Sequence, residues 1–214
     1  MGKLKNAVTK ARNLLRQWRN RRHLRHTDFS IIANNCWAGF AYQEFGLKYN
    51  TPTIGLFFTD RDYIRFLERL DYYLSLPIEF VSAESIPGYS ASRKLYDKEI
   101  IYPIGRLDDI YIWFMHYTDP EEARMKWERR KKRINHDRLL VKWSQRYGND
   151  PELMRRFLAL PFRNKIAFVE PAAAYDDPRV IVVPELERLN REGGDETDYT
   201  LRRIDLLPLL NSIE

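Results

Sequence analysis

The 214-residue chain contains a single cysteine, Cys36, so it forms no internal disulfide. Its four histidines, His23, His26, His116 and His136, join that cysteine in no metal-ligand spacing. No apolar run approaches the length needed to span a bilayer, and the N-terminus lacks the apolar core of a signal peptide. These absences point to a reducing compartment and a cytoplasmic protein. Only nine glycines occur, and they build no dinucleotide fingerprint, Walker loop or Gly-x-Ser-x-Gly elbow. No internal repeat or long low-complexity tract is present. With 44% hydrophobic and 14% aromatic residues, the chain carries enough apolar material for one sizeable core.

Acidic residues are missing altogether from residues 1–27, where nine lysines and arginines occur. Those nine charges exceed the total of +6, so residues 28–214 carry −3. The high pI therefore belongs to the N-terminal segment, and the rest lacks the positive field of a nucleic-acid-binding fold, so no nucleic-acid partner is expected. Within residues 1–27, Leu4, Val8, Ala11, Leu15 and Trp18 recur at three- and four-residue steps, with Ala7 and Leu14 alongside. That spacing predicts a basic amphipathic helix. Such a helix suits an anionic membrane surface, at about 1 kcal/mol for each basic residue near it. Docking on the chain's own domain or on a partner, and contact with RNA, are the other readings. The division expected is a helix over 1–27 and one α/β domain over 28–214.

From Asp28 onwards, short β-branched runs alternate with helical patterns. Strands are predicted at "DFSIIAN", "TPTIGLFF", "EIIYPIG" (99–105), "DIYIWFMHY" (109–117), "RLLVKWS" (138–144), "NKIAFVEP" and "RVIVVP". "RIDLLPLLN" reads as a final strand plus a helical turn. Helices are predicted at 37–45 with Phe40, Ala41 and Phe45 inward, across 60–76 with Thr59 or Asp60 as cap, from Asp119 or Pro120 to Arg133, across "NDPELMRRFLALP", and at 185–191. The alternation predicts an α/β protein: a mostly parallel sheet flanked by helices, a Rossmann-like layered fold. Such sheets bind ligands outside the carboxyl ends of their strands.

That rule directs attention to Asn34, Asn35 and Cys36, which follow the first strand and precede a helix. A thiol there lies at a helix N-terminus that favours its thiolate, and the amides suit an oxyanion or phosphate. A nucleophilic cysteine needs a base. His116, at the end of a later strand, is the candidate, with Asp60 or Asp109 to orient it. The alternative is a buried, inert thiol and a structural histidine. Arg129, Arg130, Lys131, Lys132 and Arg133 form a run able to hold phosphate, although basic residues also suit a helix C-terminus. The aromatic residues Tyr42, Tyr49, Tyr72, Tyr73, Trp113, Tyr117, Trp127 and Trp143 suit a carbohydrate site or a core.

The blocks "SIIANNCWAGFAYQEFGLKYNTPTIGLFF", "DYIRFLERLDYYL", "YPIGRLDDIYIWFMHYTDPEEARMKWERRKKRIN" and "NKIAFV" resemble a bacterial family, the domain of unknown function 1919. The resemblance runs from about Ser30 to Val169 and leaves the basic helix outside. Its most specific parts are the Asn-Asn-Cys-Trp block, with Asn34, Asn35, Cys36, Trp37 and Gly39, and the later block with His116, Tyr117, Trp127, Arg129, Arg130 and Asn135. Members are commonly labelled exopolysaccharide or capsule biosynthesis proteins, sometimes acetyltransferases. The resemblance implies an enzyme transferring an acyl group to a sugar or lipid-linked glycan at the inner face of the plasma membrane. Cys36, His116 and Asp60 would be its catalytic residues. Coenzyme A or acetyl-coenzyme A would sit against Asn34, Asn35, Trp37, Arg129, Arg130 and Arg133. Glycosyl or glycosyl-phosphate transfer using Asp60, Asp108 and Asp109, and a non-catalytic membrane scaffold, are the alternatives.

Overall fold

The computed structural model describes residues 2–87, 101–146, 148–173 and 175–213, with side chains from Ala7 onwards. Four strands form a wholly parallel sheet in the order β1-β5-β6-β7: β1 is Ser30–Ala33, β5 Leu139–Ser144, β6 Asn164–Val169 and β7 Val180–Val182. A separate three-stranded antiparallel sheet joins β2 (Glu79–Val81), β3 (Ile104–Leu107) and β4 (Ile110–Trp113). The α/β class and the mostly parallel main sheet agree with the sequence reading, and the small antiparallel sheet is an addition to it. Its β3–β4 hairpin turns at Asp108, which takes a positive φ of 54°. Aspartate tolerates that conformation better than most residues.

The alternation of side chains along the parallel strands creates two cores. Ile32, Val141, Trp143, Ala167 and Val169 face α3 (Asp60–Glu68), α4 (Leu70–Ser75), α5 (Pro120–Lys131), α6 (Pro151–Ala159) and the antiparallel sheet. Ile31, Ala33, Leu140, Ile166 and Phe168 face α2 (Trp37–Glu44), α7 (Glu185–Glu192) and the closing helices α8 (Thr197–Arg202) and α9 (Leu206–Asn211). The helix ends follow local chemistry. Thr59 caps α3 by accepting from the Asp62 N–H, while Asp119 and Asp150 each accept two N–H bonds ahead of a proline in the first turn.

Several elements differ from the sequence pattern. "TPTIGLFF" is a loop held by one isolated bridge, Phe57 to Trp113, because threonine hydroxyls take the place of a ladder. Thr53 Oγ1 accepts from the Ala33 N–H at 3.2 Å, and the Phe58 N–H donates to the Asn34 carbonyl at 2.9 Å. Together these cover the outer edge of β1. "RIDLLPLLN" forms no strand, since Asp205 caps α9 through the Leu207 N–H. The helix expected across 60–76 breaks at Arg69, which leaves the helical region at φ −132°, ψ 43°. Phe40 points outward from α2, where Trp37, Ala38, Ala41 and Tyr42 are buried instead. Residues 99 and 100 of the third expected strand lie outside the described residues.

α1 (Gly2–Arg21) docks through polar side chains. Arg16 pairs with Glu44 at 2.5 Å, Gln17 Nε2 donates to the Gln43 carbonyl at 2.8 Å, and Asn20 Nδ2 donates to Glu44 Oε1 at 2.8 Å. Beyond it, Asn211 of α9 bonds the His23 carbonyl and the Arg25 N–H. Among the described residues no helix is long and apolar enough to cross a membrane.

Candidate functional site

The carboxyl ends of β1 and β5 are fastened by a side chain acting as backbone. Asn34, fully buried, donates from Nδ2 to the Ser144 carbonyl at 2.8 Å and accepts at Oδ1 from the Ser144 N–H at 3.0 Å. The parallel ladder thus runs one step beyond Ala33.

Beside this clamp lies a buried charge network. Lys142 occupies the same face of β5 as Leu140 and Ser144, so the strand carries its ammonium into the core beneath α2. Lys142 Nζ donates to Glu196 Oε1 at 2.8 Å, Ser144 Oγ at 2.5 Å and Asn35 Oδ1 at 3.1 Å, which uses all three of its hydrogens. The Phe168 and Trp37 rings lie 5.3 and 5.8 Å from it. Glu196 Oε1 also accepts from Asn35 Nδ2 at 2.8 Å and from the Ser144 hydroxyl, while Oε2 accepts from Arg146 at 3.2 Å. Lys142 is 0% and Glu196 1% exposed, so the pair is dry. Burial pushes the Glu196 carboxyl up, but the facing Lys142 and Arg146 cations outweigh it and hold the pKa below the ordinary value. Burial lowers Lys142 more than Glu196 raises it, leaving that group below an ordinary lysine.

Arg146 carries the network outward. Its Nε bonds Asn190 Oδ1 at 3.1 Å, and one guanidinium nitrogen bonds the Gly194 carbonyl at 3.0 Å. Its backbone N–H donates to Asp60 Oδ2 at 2.9 Å. The other carboxylate oxygen of Asp60 accepts from Trp143 Nε1 at 2.8 Å, so Asp60 anchors the end of β5 to the start of α3.

Cys36 sits at the N-terminus of α2 and makes no side-chain cap bond; Asn35 Oδ1 takes the Trp37 N–H instead, at 3.2 Å. Burial raises the Cys36 pKa to about 11, with the Asp195 and Glu196 carboxylates adding to it and Lys142 opposing. The thiol therefore stays protonated near neutral pH, since these effects exceed the pull of the helix end. His116 lies past β4 with its side chain exposed, and its backbone N–H donates to the Gly55 carbonyl at 3.1 Å. Among the described residues it bonds neither Cys36 nor Asp60. The structure thus gathers Asn34, Asn35, Cys36 and Trp37 at one place, with Asp60 reaching it through Arg146, and leaves His116 outside.

The arginines belong to another region. Arg130, buried in α5, donates to the Tyr117 hydroxyl at 2.6 Å and lies 5.2 Å from the Tyr49 ring centre. Arg133 donates to the Tyr49 carbonyl at 3.3 Å, and Asn135 just beyond it donates its N–H to Ser30 Oγ at 2.8 Å. Ser30 opens β1 and Asn34 follows it, so the two sets lie at opposite ends of that strand, separated by roughly 13 Å. Arg129 lies on the exposed face of α5, and its guanidinium makes no ion pair or hydrogen bond among the described residues. The six residues considered for coenzyme A therefore form no common cradle: the Asn34 and Asn35 amides and the Arg130 and Arg133 guanidinium groups bind within the protein, and Trp37 is wholly buried.

Lys142, Glu196 and Arg146 escaped the sequence reading. A lysine inside the apolar run "LLVKWS" signals a buried cation, but nothing in the sequence identifies a glutamate 54 positions later as its partner. A groove of about 1070 Å³ opens elsewhere, between α1, the end of α2 and the α8–α9 segment. Residues 7–188 match the family model of the domain of unknown function DUF1919. This match begins within α1, earlier than the resemblance read from the sequence, and ends in α7. A protein of Haemophilus influenzae described only as uncharacterized is 31% identical over 192 residues, covering 89% of this chain and 85% of its own.

Proposed function

The chain belongs to the DUF1919 family, and on that footing we propose that it is an enzyme of surface-polysaccharide assembly that transfers an acyl group to a hydroxyl of a sugar or lipid-linked glycan. One observation carries the reading: a thiol at a helix N-terminus stands beside a fully buried Lys142–Glu196 pair at the carboxyl ends of two parallel strands. That is where parallel α/β sheets bind ligands, and perturbed ionisable groups cluster at functional sites. Two buried polar atoms on the residues after these strands, Trp37 Nε1 and Gln145 Oε1, have no partner among the described residues. Both atoms are closed off from solvent, so they mark an unsatisfied polar spot in the packing beside the network rather than a surface that a ligand touches. The labels carried by family members supply the polysaccharide context.

The chemistry follows from the protonation states. Burial and the Asp195 and Glu196 carboxylates raise the thiol to about 11, so Cys36 is protonated at rest and meets the reacting group as an S–H donor. Glu196, held as a carboxylate by Lys142 and Arg146, fixes Asn35 and with it the first turn of α2. Because the residues build no coenzyme cradle, no step is assigned to coenzyme A.

The test is a thermal-shift panel of coenzyme A, acetyl-coenzyme A, nucleotide sugars and undecaprenyl-phosphate analogues on wild type and Cys36→Ala. Acyl transfer predicts stabilisation by an acyl donor, weakened in Cys36→Ala; at 100 times its Kd a ligand adds about 2.7 kcal/mol. Stabilisation by nucleotide sugars alone would replace acyl with glycosyl transfer, and no shift with any compound would overturn the assignment.

A further inference from the structure

α1 meets the rest of the protein with its polar face, and its apolar face is left outward. At about 100° per residue, the docking side chains Arg16, Gln17 and Asn20 occupy one arc of roughly 100°. Val8, Ala11, Leu14, Leu15 and Trp18 occupy an arc of about 120° on the opposite side. All five are exposed: Val8 is 52%, Leu14 56%, Leu15 66% and Trp18 57% accessible. A helix stabilised only by packing on its own domain would turn this stripe inward. Here Arg16–Glu44, Gln17–Gln43 and Asn20–Glu44 hold it the other way round.

The charges beside the stripe indicate what covers it. Lys10 and Arg21 border one edge and Arg12 and Arg19 the other, all exposed, and residues 1–27 contain no carboxylate. Arg22 stacks 4.7 Å from the centre of the Trp18 ring. An apolar strip with an aromatic side chain, edged on both sides by cations whose stems lie along it, matches an anionic lipid interface. A protein partner burying the same strip would need carboxylates along both edges.

We propose that α1 is a peripheral membrane anchor that lies flat on an anionic bilayer. Val8, Leu14, Leu15 and Trp18 enter the headgroup boundary while its polar face stays bonded to α2. Binding requires no detachment of the helix and no rearrangement of the domain. It stands independently of the acyl-transfer reading, since it depends on no residue of the Cys36 site.

The experiment is co-sedimentation of the full chain with vesicles of phosphatidylglycerol and phosphatidylethanolamine, against phosphatidylcholine alone. Wild type and Leu15→Glu/Trp18→Glu are compared, with melting temperatures checked so that loss of binding is not loss of fold. Wild type should bind the anionic vesicles, and the double variant should lose at least about tenfold in affinity, as should wild type at high salt. Brominated lipid should quench Trp18, because the other four tryptophans are buried. Absence of binding, or equal binding by the variant, would overturn the proposal. So would concentration-dependent self-association in solution that the same variant abolishes, which would assign the stripe to a second copy.

Discussion

Glu196→Gln removes the charge of the buried network while keeping its shape. The amide oxygen can still accept from Lys142 and Ser144, while the amide nitrogen replaces the oxygen that accepts from Arg146, so the change removes one negative charge and the Arg146 bond at little cost in volume. Lys142, 0% exposed, is then a buried cation without a counter-ion, and breaking such a pair costs about 3–5 kcal/mol. At about 2–4 °C per kcal/mol for a chain of this size, the melting temperature should fall by roughly 6–20 °C. The deficit should also depend on pH. Without the carboxylate, burial drives the Lys142 pKa further below 10.5. The unfolded chain then binds a proton that the fold sheds, so the variant gains stability as pH rises above the folded pKa and up to the unfolded one. Urea denaturation of both proteins at steps from pH 7 up to 10.5, the unfolded value, measures the difference, with ionisations common to both cancelling. The deficit should narrow as the pH approaches 10.5. A loss below about 1 kcal/mol at every pH would mean that the pair is not what secures the β1 and β5 ends, and would remove it from the site.

Two further outcomes follow from the same region. Native Cys36 should react with iodoacetamide at pH 7.5 at least about tenfold slower than the urea-unfolded chain, and native stability should decline between pH 9.0 and about 11, where only the unfolded thiol has ionised. A native rate equal to the unfolded one would contradict the half-buried, protonated thiol. Asn34→Ala leaves the Ser144 N–H and carbonyl unpaired, at about 1–3 kcal/mol for each group, so denaturant titration should show a loss of roughly 2–6 kcal/mol. A near-neutral result would mean that water replaces the amide and that the clamp is dispensable.

Much of the architecture was legible because it rests on local rules. Period-2 and period-3.6 patterns located most of the elements, and Thr59, Asp119 and Asp150 marked three helix starts. "TPTIGLFF" misled because its β-branched run looks like a strand, whereas Thr51, Thr53 and the positive φ of Gly55 fit it to an edge by side-chain bonds. The Asn34-Asn35-Cys36-Trp37 stretch was correctly placed after a strand at the mouth of a parallel sheet. What its members bind was not legible, because hydrogen-bond partners are set by residues 110 and 161 positions away.

The sequence by itself determined the α/β class, the position of the single thiol and the amphipathic pattern of the first helix, because each depends on residues close along the chain. Tertiary structure decided the rest. It buried Lys142 against Glu196, which joined the thiol's neighbours into one charge network; it spent the Arg130 guanidinium on the Tyr117 hydroxyl and that of Arg133 on the Tyr49 carbonyl; and it turned the apolar stripe of α1 outward. Periodicity states that a helix has two faces. Which of them meets the protein depends on the partners that the fold brings there, here Glu44 and the Gln43 carbonyl.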